Sequence, residues 1–158
     1  MSFTVIRDTR EHENYGWDFT SDGLITINKK LNTGDYSIEG MERILCIERK
    51  RSSGEIATNI GKKGKPWKAE LDRMLKIKYP FILCEFSLDT LMKFPEGSTI
   101  PRSKWQYLRM NAKFMASCLM SYKEKYNVDV IFCQDESEAR AKALEILRVI
   151  YEKERLGC

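Results

Sequence analysis

Apolar and polar positions fall into short strand-like runs in the first third of the chain and into helical periods after it. Thr4-Val5-Ile6 reads as a short strand ending at Arg7-Asp8, so Asp8 and Glu11 stand where a buried strand emerges into a loop. Gly16-Trp17-Asp18-Phe19 reads as an irregular connection anchored by aromatics, and Leu24-Ile25-Thr26-Ile27-Asn28 as a β-branched strand. Thr33-Gly34 then turns the chain into a strand that Asp35 begins. The apolar run Ile44-Leu45-Cys46-Ile47 forms the next strand, which closes on Glu48-Arg49-Lys50. A hairpin of these two strands brings its outer ends together, setting Asp35 beside Glu48 with Lys50 close by.

After Lys50 the period changes. Ser52 or Ser53 is placed to cap a short helix through Ile56 to Ile60. Residues 61–66, Gly-Lys-Lys-Gly-Lys-Pro, read as a flexible basic loop. Trp67, Leu71, Met74 and Leu75 recur at helical spacing, and the helix is expected to run up to Tyr79-Pro80. Phe81-Ile82-Leu83-Cys84 is a continuous apolar strand of a covered sheet. Residues 96–101 read as a loop with a candidate break in order. Ser103 is expected to cap a long helix carrying Trp105, Leu108, Phe114, Met115, Leu119 and Tyr122 on its apolar face. Residues 128–133 make another buried strand, and Asp135 with Glu138 forms a capping box for a last helix through Leu144, Leu147 and Ile150. The Met and aromatic stripes on these helices are core. Strands first, then alternating helix and strand, predict an α/β fold: a central mixed sheet with helices on both faces.

A length of 158 residues fits one domain with a substantial core, and 42% apolar with 32% charged residues is ordinary for a soluble globular protein. No apolar run approaches the ~20 residues needed to span a bilayer, and the first residues lack the basic-then-apolar plan of a signal peptide. No membrane association is expected. None of the five cysteines forms a Cys-x-x-Cys pair and the only histidine is His12, which argues against structural zinc and for buried, reduced thiols. The chain has no Gly-x-Gly-x-x-Gly or Walker-type loop, so no nucleotide cofactor is expected. Net charge is +4, but between Arg49 and Lys68 seven cations face Glu55 alone, leaving the rest of the chain slightly acidic. A localised basic stretch beside a carboxylate pair points to a polyanionic partner, against the plainer alternative of a solvated charged loop.

Three motifs in order then carry a resemblance. Val5-Ile6-Arg7-Asp8-Thr9-Arg10-Glu11, Gly34-Asp35 and Ile47-Glu48-Arg49-Lys50 resemble the hallmark segments of the XPF family of structure-specific endonucleases, within the restriction-endonuclease-like nucleases. Trp67-Lys68-Ala69-Glu70-Leu71-Asp72-Arg73-Met74 looks like the family's helix after the triplet, and residues 131–152 look like the close of its nuclease domain. The likeness covers nearly the whole chain and is greatest to the short stand-alone members of bacteriophages and prokaryotes. It implies a single nuclease domain over residues 1–158, a restriction-endonuclease-like three-layer α/β/α fold and a cytoplasmic setting in a bacterial or phage-infected cell.

The resemblance also implies a metal-dependent endonuclease acting on branched or flap-like DNA in repair, recombination or phage DNA processing. Asp8, Asp35 and Glu48, with the Arg49 carbonyl, would supply hard oxygen ligands suited to Mg²⁺ or Mn²⁺. Lys50, kept protonated by neighbouring carboxylates, would position the nucleophile and stabilise phosphate charge. The catalytic set is thus Asp8, Asp35, Glu48 and Lys50. Arg10 and Arg49 would hold flanking phosphates or buttress the carboxylates, and Lys62, Lys63, Lys65 and Lys68 would contact the DNA backbone. Glu11, Glu55 and Arg73 are supporting residues; Glu11 would bind metal through water or orient Arg10. Two departures matter. The family commonly has an acidic residue where Gly54 stands, with Glu55 one position later. The helix-hairpin-helix module of many members is not expected after Leu156, which leaves the preferred DNA and the choice between monomer and homodimer open. A different nuclease specificity, a catalytically inactive DNA-binding subunit and a protein-interaction module are the competing readings.

Overall fold

A computed structural model of the chain describes residues 2–11 and 14–157. Among the described residues six strands form one mixed sheet: β1 (Thr4–Arg7), β2 (Ile25–Asn28), β3 (Tyr36–Ile38), β4 (Leu45–Lys50), β5 (Tyr79–Cys84) and β6 (Asp129–Phe132), in the order β2-β1-β3-β4-β5-β6. β1 runs parallel to β2 and antiparallel to β3; β3 runs antiparallel to β4; β4, β5 and β6 are mutually parallel. The hairpin of β3 and β4 is therefore the centre of the sheet.

Side chains leave a strand on alternate faces, and each face has its own core. On one face Val5, Tyr36, Ile38, Leu45, Ile47 and Leu83 pack against Ala139, Ala143, Leu147 and Ile150 of α5 (Glu136–Arg155), with Trp17 and Phe19 filling the end of the layer. The opposite face presents Cys46, Ile82 and Cys84. It is covered by α1 (Ser53–Ile60), α2 (Gly64–Met74), α3 (Leu88–Met92) and α4 (Ala112–Tyr126) through Ile56, Trp67, Leu71, Leu91, Met115 and Leu119. Helices on both faces of a mixed sheet are the predicted α/β arrangement. Cys46, Cys84 and Cys133 are buried free thiols and Cys118 is half-buried; Cys158 and His12 lie outside the described residues.

Several element boundaries differ from expectation, each for a local reason. α2 begins at Gly64 inside the expected basic loop, because proline is tolerated in the first helical turn, where Pro66 sits. It ends at Met74, and Pro80 lies within β5. The Tyr79 amide bonds Ile44 on the β4 side, so the missing Pro80 amide would face β6, which joins the ladder only at Phe81. The long helix expected from Ser103 is instead a 3-10 turn (Arg102–Tyr107) followed by α4, whose true cap is Asn111 accepting the Phe114 amide at 2.9 Å. Phe114, assigned to the apolar face, is exposed. Residues 96–101 form a continuous loop in which Ser98 is buried. β6 is an edge strand and only half-buried. The capping of α1 by Ser52 and of α5 by Asp135 agrees with expectation, though Glu138 reaches the Gln134 amide rather than that of the cap.

Gly34 sets the entry to the hairpin. Its φ of +81° is the left-handed region, and an added Cβ would lie 2.9 Å from Cys46 Cβ and 3.3 Å from the Ile47 carbonyl. Left-handed backbone costs a non-glycine residue roughly 1–2 kcal/mol, and overpacking typically adds ~1–3 kcal/mol. Gly34→Ala is expected to lower the melting temperature by about 5 °C or more; an unchanged value would mean that the turn is free to shift.

Candidate active site

Asp35 directly precedes β3. Its amide donates to the Ile47 carbonyl at 2.8 Å, and its Oδ2 accepts the Arg49 amide at 2.7 Å, so its carboxylate lies across the end of β4. Glu48 and Lys50 project from β4 on the Cys46 face. The Glu48 carboxyl lies beside that of Asp35, and Lys50 Nζ sits 2.9 Å from Glu48 Oε2. Lys50 also lies 4.6 Å from the centre of the Trp67 ring, a cation–π arrangement. Trp67 is itself fixed by donating Nε1–H to the Tyr122 hydroxyl at 2.9 Å.

The cluster is mostly covered, the Glu48 side chain being 12% and that of Lys50 7% exposed. Burial, then Glu48 and Glu11, push the Asp35 carboxyl well above the ordinary range, against the Arg49 amide and Lys50. Burial also raises the Glu48 carboxyl, with Lys50 opposing and Glu70 adding to the rise. Burial works against the Lys50 ammonium, but Glu48 outweighs it with Asp35 and Glu55 behind, and the net shift is upward. Lys50 is therefore a cation at neutral pH, unsuited to taking a proton there.

The structure gives Asp8 and Arg49 different surroundings from those expected. Asp8 is fully buried and its amide bonds the Asp35 carbonyl at 2.8 Å. Its carboxylate is engaged elsewhere: Oδ1 accepts the Leu31 amide at 2.7 Å, and Oδ2 accepts both the amide (3.1 Å) and Nε–H (2.7 Å) of Arg10. The Arg10 side chain is 68% exposed at the mouth, its conformation set by Asp8 and the Leu31 carbonyl. Arg49 leaves β4 on the α5 face, where its side chain has no exposure. Its Nε–H donates to Glu85 at 2.7 Å, Nη1 reaches Glu11 at 3.2 Å, and the guanidinium lies 4.5 Å from the Trp17 ring centre. So enclosed, Arg49 cannot reach a phosphate; it buttresses. Glu11 belongs to this buttress rather than to Arg10, because it also accepts the Tyr36 hydroxyl at 2.6 Å.

Glu55 is exposed and its Oε1 accepts the Arg51 amide at 2.6 Å, tying the start of α1. Gly54, where the resemblance leads to the expectation of an acid, is closely packed: a Cβ there would lie 2.5 Å from the Ser98 carbonyl. Lys62 and Lys63 lie in the turn between α1 and α2, and Lys65 in the first turn of α2; all three are exposed. Lys68 is spent on Asp72 at 3.1 Å and is about 160° around α2 from Glu70. Glu70 and Trp67 are site residues that strand motifs alone do not reveal. Glu70 Oε1 accepts the Gly34 amide at 2.9 Å while its other oxygen pairs with Arg73, whose Nε–H donates to the Asn32 carbonyl at 3.1 Å. The helix brought beside the hairpin by Leu71 and Met74 thereby holds the approach to Asp35.

The ERCC4 domain profile matches residues 7–141. The chain belongs to the ERCC4 domain family. Among solved structures it is similar to XPF from Aeropyrum pernix, at 18% identity and a TM-score of 0.67, over 92% of this chain and 60% of that one. It is likewise similar to the same protein in complex with DNA, at 18% identity and a TM-score of 0.67, over 95% of this chain and 66% of that one. The chain thus spans about two thirds or less of the length of these relatives, and at this identity the likeness establishes the restriction-endonuclease-like fold. A sequence search of curated proteins finds no match.

A divalent cation fits the donors present. Among the described residues no three His, Cys, Asp or Glu side chains gather around one point, but Mg²⁺ is commonly bound through one or two carboxylates and keeps several waters. Asp35 and Glu48 are such a pair, both raised chiefly by burial, with Glu48 and Glu11 adding to the rise at Asp35 and Lys50 opposing it at Glu48. In an extended strand a residue's amide and carbonyl point to the same side, so the Arg49 carbonyl faces the Asp35 side with its amide.

Two outcomes follow from this geometry. Carboxylates with raised folded-state pKa values destabilise the metal-free protein as pH climbs above about 4, their unfolded value. Asn at position 35 can still accept the Arg49 amide and donate to Glu48. In chelator at about pH 8, Asp35→Asn should melt at the wild-type temperature or several degrees above it, the gap closing as pH falls into the carboxylate range. A large drop in melting temperature would assign Asp35 a structural role. Second, Gly54→Asp should cost about 1–3 kcal/mol through the clash with Ser98, read as a lower melting temperature. A stable variant would show that the loop of residues 96–101 can yield.

Proposed function

We propose that the protein is a metal-dependent DNA endonuclease hydrolysing phosphodiester bonds at branched or flap-like DNA, in repair, recombination or phage DNA processing. The observation that carries this reading is the crowded Asp35–Glu48 pair beside a protonated Lys50 at the open end of the central hairpin. Family membership and a fold shared with a protein solved in complex with DNA support it.

Asp35 and Glu48, with the Arg49 carbonyl, are the residues that would hold Mg²⁺ or Mn²⁺. When bound, such an ion neutralises phosphate charge and lowers the pKa of an attacking water. Lys50, held between Glu48 and the Trp67 face, presents an ammonium to the non-bridging phosphate oxygens as charge develops on them. Exposed Arg10 is aimed by Asp8 and takes a flanking phosphate, so Asp8 acts by positioning. The buried Arg49 clamp keeps β4 from shifting against the loop that carries Glu11. Lys62, Lys63 and Lys65 extend the positive surface toward the DNA backbone.

The test is cleavage of flap, fork, Holliday-junction, single-stranded and linear duplex DNA with Mg²⁺, Mn²⁺ or EDTA. Nicks in at least one branched substrate, requiring a divalent ion and lost in Asp35→Asn and Lys50→Met, are the expected result. Binding without cutting by the wild-type protein would favour the inactive DNA-binding subunit instead. Independently of turnover, Mn²⁺ should raise the wild-type melting temperature in proportion to the logarithm of its concentration. The same titration should leave Asp35→Asn nearly unmoved; an equal rise in both proteins would place the ion elsewhere.

A further inference from the structure

A groove of about 780 Å³ lies between the loop after β2, the β3–β4 turn and the end of α2, and its walls carry Lys29, Lys30, Arg43, Arg73 and Lys76 against one carboxylate, Glu42. All five cations are exposed. Glu42 is already occupied by the Gly40 amide, and only Arg73 has an ion-pair partner, Glu70. Among the described residues Lys29, Lys30, Arg43 and Lys76 make no salt bridge, whereas Lys68, Lys78, Lys123, Arg140, Lys142 and Arg155 are each paired with a carboxylate. Four unneutralised cations around one concavity concentrate positive potential there and repel one another until an anion arrives.

The groove adjoins the Asp35–Glu48 pair. Leu31 and Thr33 line it, while the Leu31 amide is bonded to Asp8 and the Gly34 amide to Glu70. Thr33 is two residues from Asp35, a reach of at most about 7 Å, or roughly two nucleotides of strand rise. Glu70 joins the two regions, one oxygen on Gly34 and the other on Arg73.

We infer that this groove is a second DNA-backbone site, receiving the phosphates of the arm that leaves the catalytic pair on the Glu70 side. The inference rests on the nuclease reading but assigns residues outside the three motifs. Its chemistry is that of a sequence-independent track: lysine and arginine point charges without base-reading geometry. An arm seated there would be aligned with the scissile bond by the same segment, residues 29–34, that supports Asp8 and Asp35.

The decisive experiment compares Lys29→Gln/Lys30→Gln/Arg43→Gln/Lys76→Gln with Lys62→Gln/Lys63→Gln/Lys65→Gln and the wild type. Binding of a labelled fork DNA is followed in EDTA across a salt series. Each lost phosphate contact removes close to one from the slope of log affinity against log salt. The groove variant should lose about three to four from that slope and about tenfold or more in affinity, while cutting a fork whose arm is truncated near the junction at the wild-type rate. On the wild-type protein, DNA should shield Lys29, Lys30 and Lys76 from acetylation read by mass spectrometry, which needs no variant to fold. Unchanged slope and unshielded lysines would overturn the groove while leaving wild-type cleavage, and hence the nuclease reading, intact. A wild-type protein that neither binds nor cuts any DNA in the panel would overturn both.

Discussion

The alternation of side chains along β4 is the constraint from which the site follows. Glu48 and Lys50 must leave one face of the sheet and Arg49 the other. The first face places a carboxylate and an ammonium beside Asp35; the second buries a guanidinium among Glu85, Glu11 and Trp17. One tripeptide thus supplies both a reactive surface and the fastening beneath it. A one-residue slip of the strand would exchange the two, placing Arg49 at the mouth and two ionisable groups in the α5 core.

That fastening is high-stakes because it is charged and enclosed. Breaking a buried ion pair by removing one partner typically costs ~3–5 kcal/mol, since the other charge is left without water or counter-charge. Arg49 is held from several directions: Glu85, Glu11, the Tyr15 carbonyl and the Trp17 face. Glu11 in turn accepts the hydroxyl of Tyr36, which also receives the Trp17 amide at 2.7 Å. β4 is thereby locked to β3 and to the loop after β1, the three places from which Arg49, Tyr36 and Glu11 come. The strain is kept on the opposite face, where Asp35 and Glu48 crowd each other. Charge repulsion in a site is tolerable when the scaffold around it has no cheaper conformation to relax into.

What was legible in the sequence is what is local. Period-two runs with turn residues between them marked β1, β3 and β4, and hence that Asp35 meets Glu48. Proximity along the chain also made the Ser52 and Asp135 caps readable. Glu70 and Trp67 were not visible as site residues because they join from a helix whose packing angle only the assembled core decides. Gly34 and Glu70 meet across 36 residues. Arg49 is the instructive case: the same alternation that paired Glu48 with Lys50 already directed it away from solvent. Of the two roles the sequence left open for Arg49, holding a phosphate and buttressing, that alternation favours the second. The helix boundary at Asn111 was blurred for a different reason, since Ser103 offered an equally good cap and the aromatic spacing continued through the break.

Charge shows the same limit more sharply. The basic run from Arg49 to Lys68 is dense in sequence, yet Arg49 and Lys50 are buried in ion pairs and Lys68 is matched by Asp72. Lys29, Lys30, Arg43, Arg73 and Lys76 form no run at all, yet they converge on one groove. The potential a polyanion meets depends on which charges remain unpaired and how far apart they stand in space, with screening over about 8–10 Å. Linear density measures neither. In this fold the loop after β2, the hairpin turn and the end of α2 are all drawn to the flank of β3. Cations from three unremarkable stretches therefore act as one surface, while the conspicuous stretch spends part of its charge inside the protein.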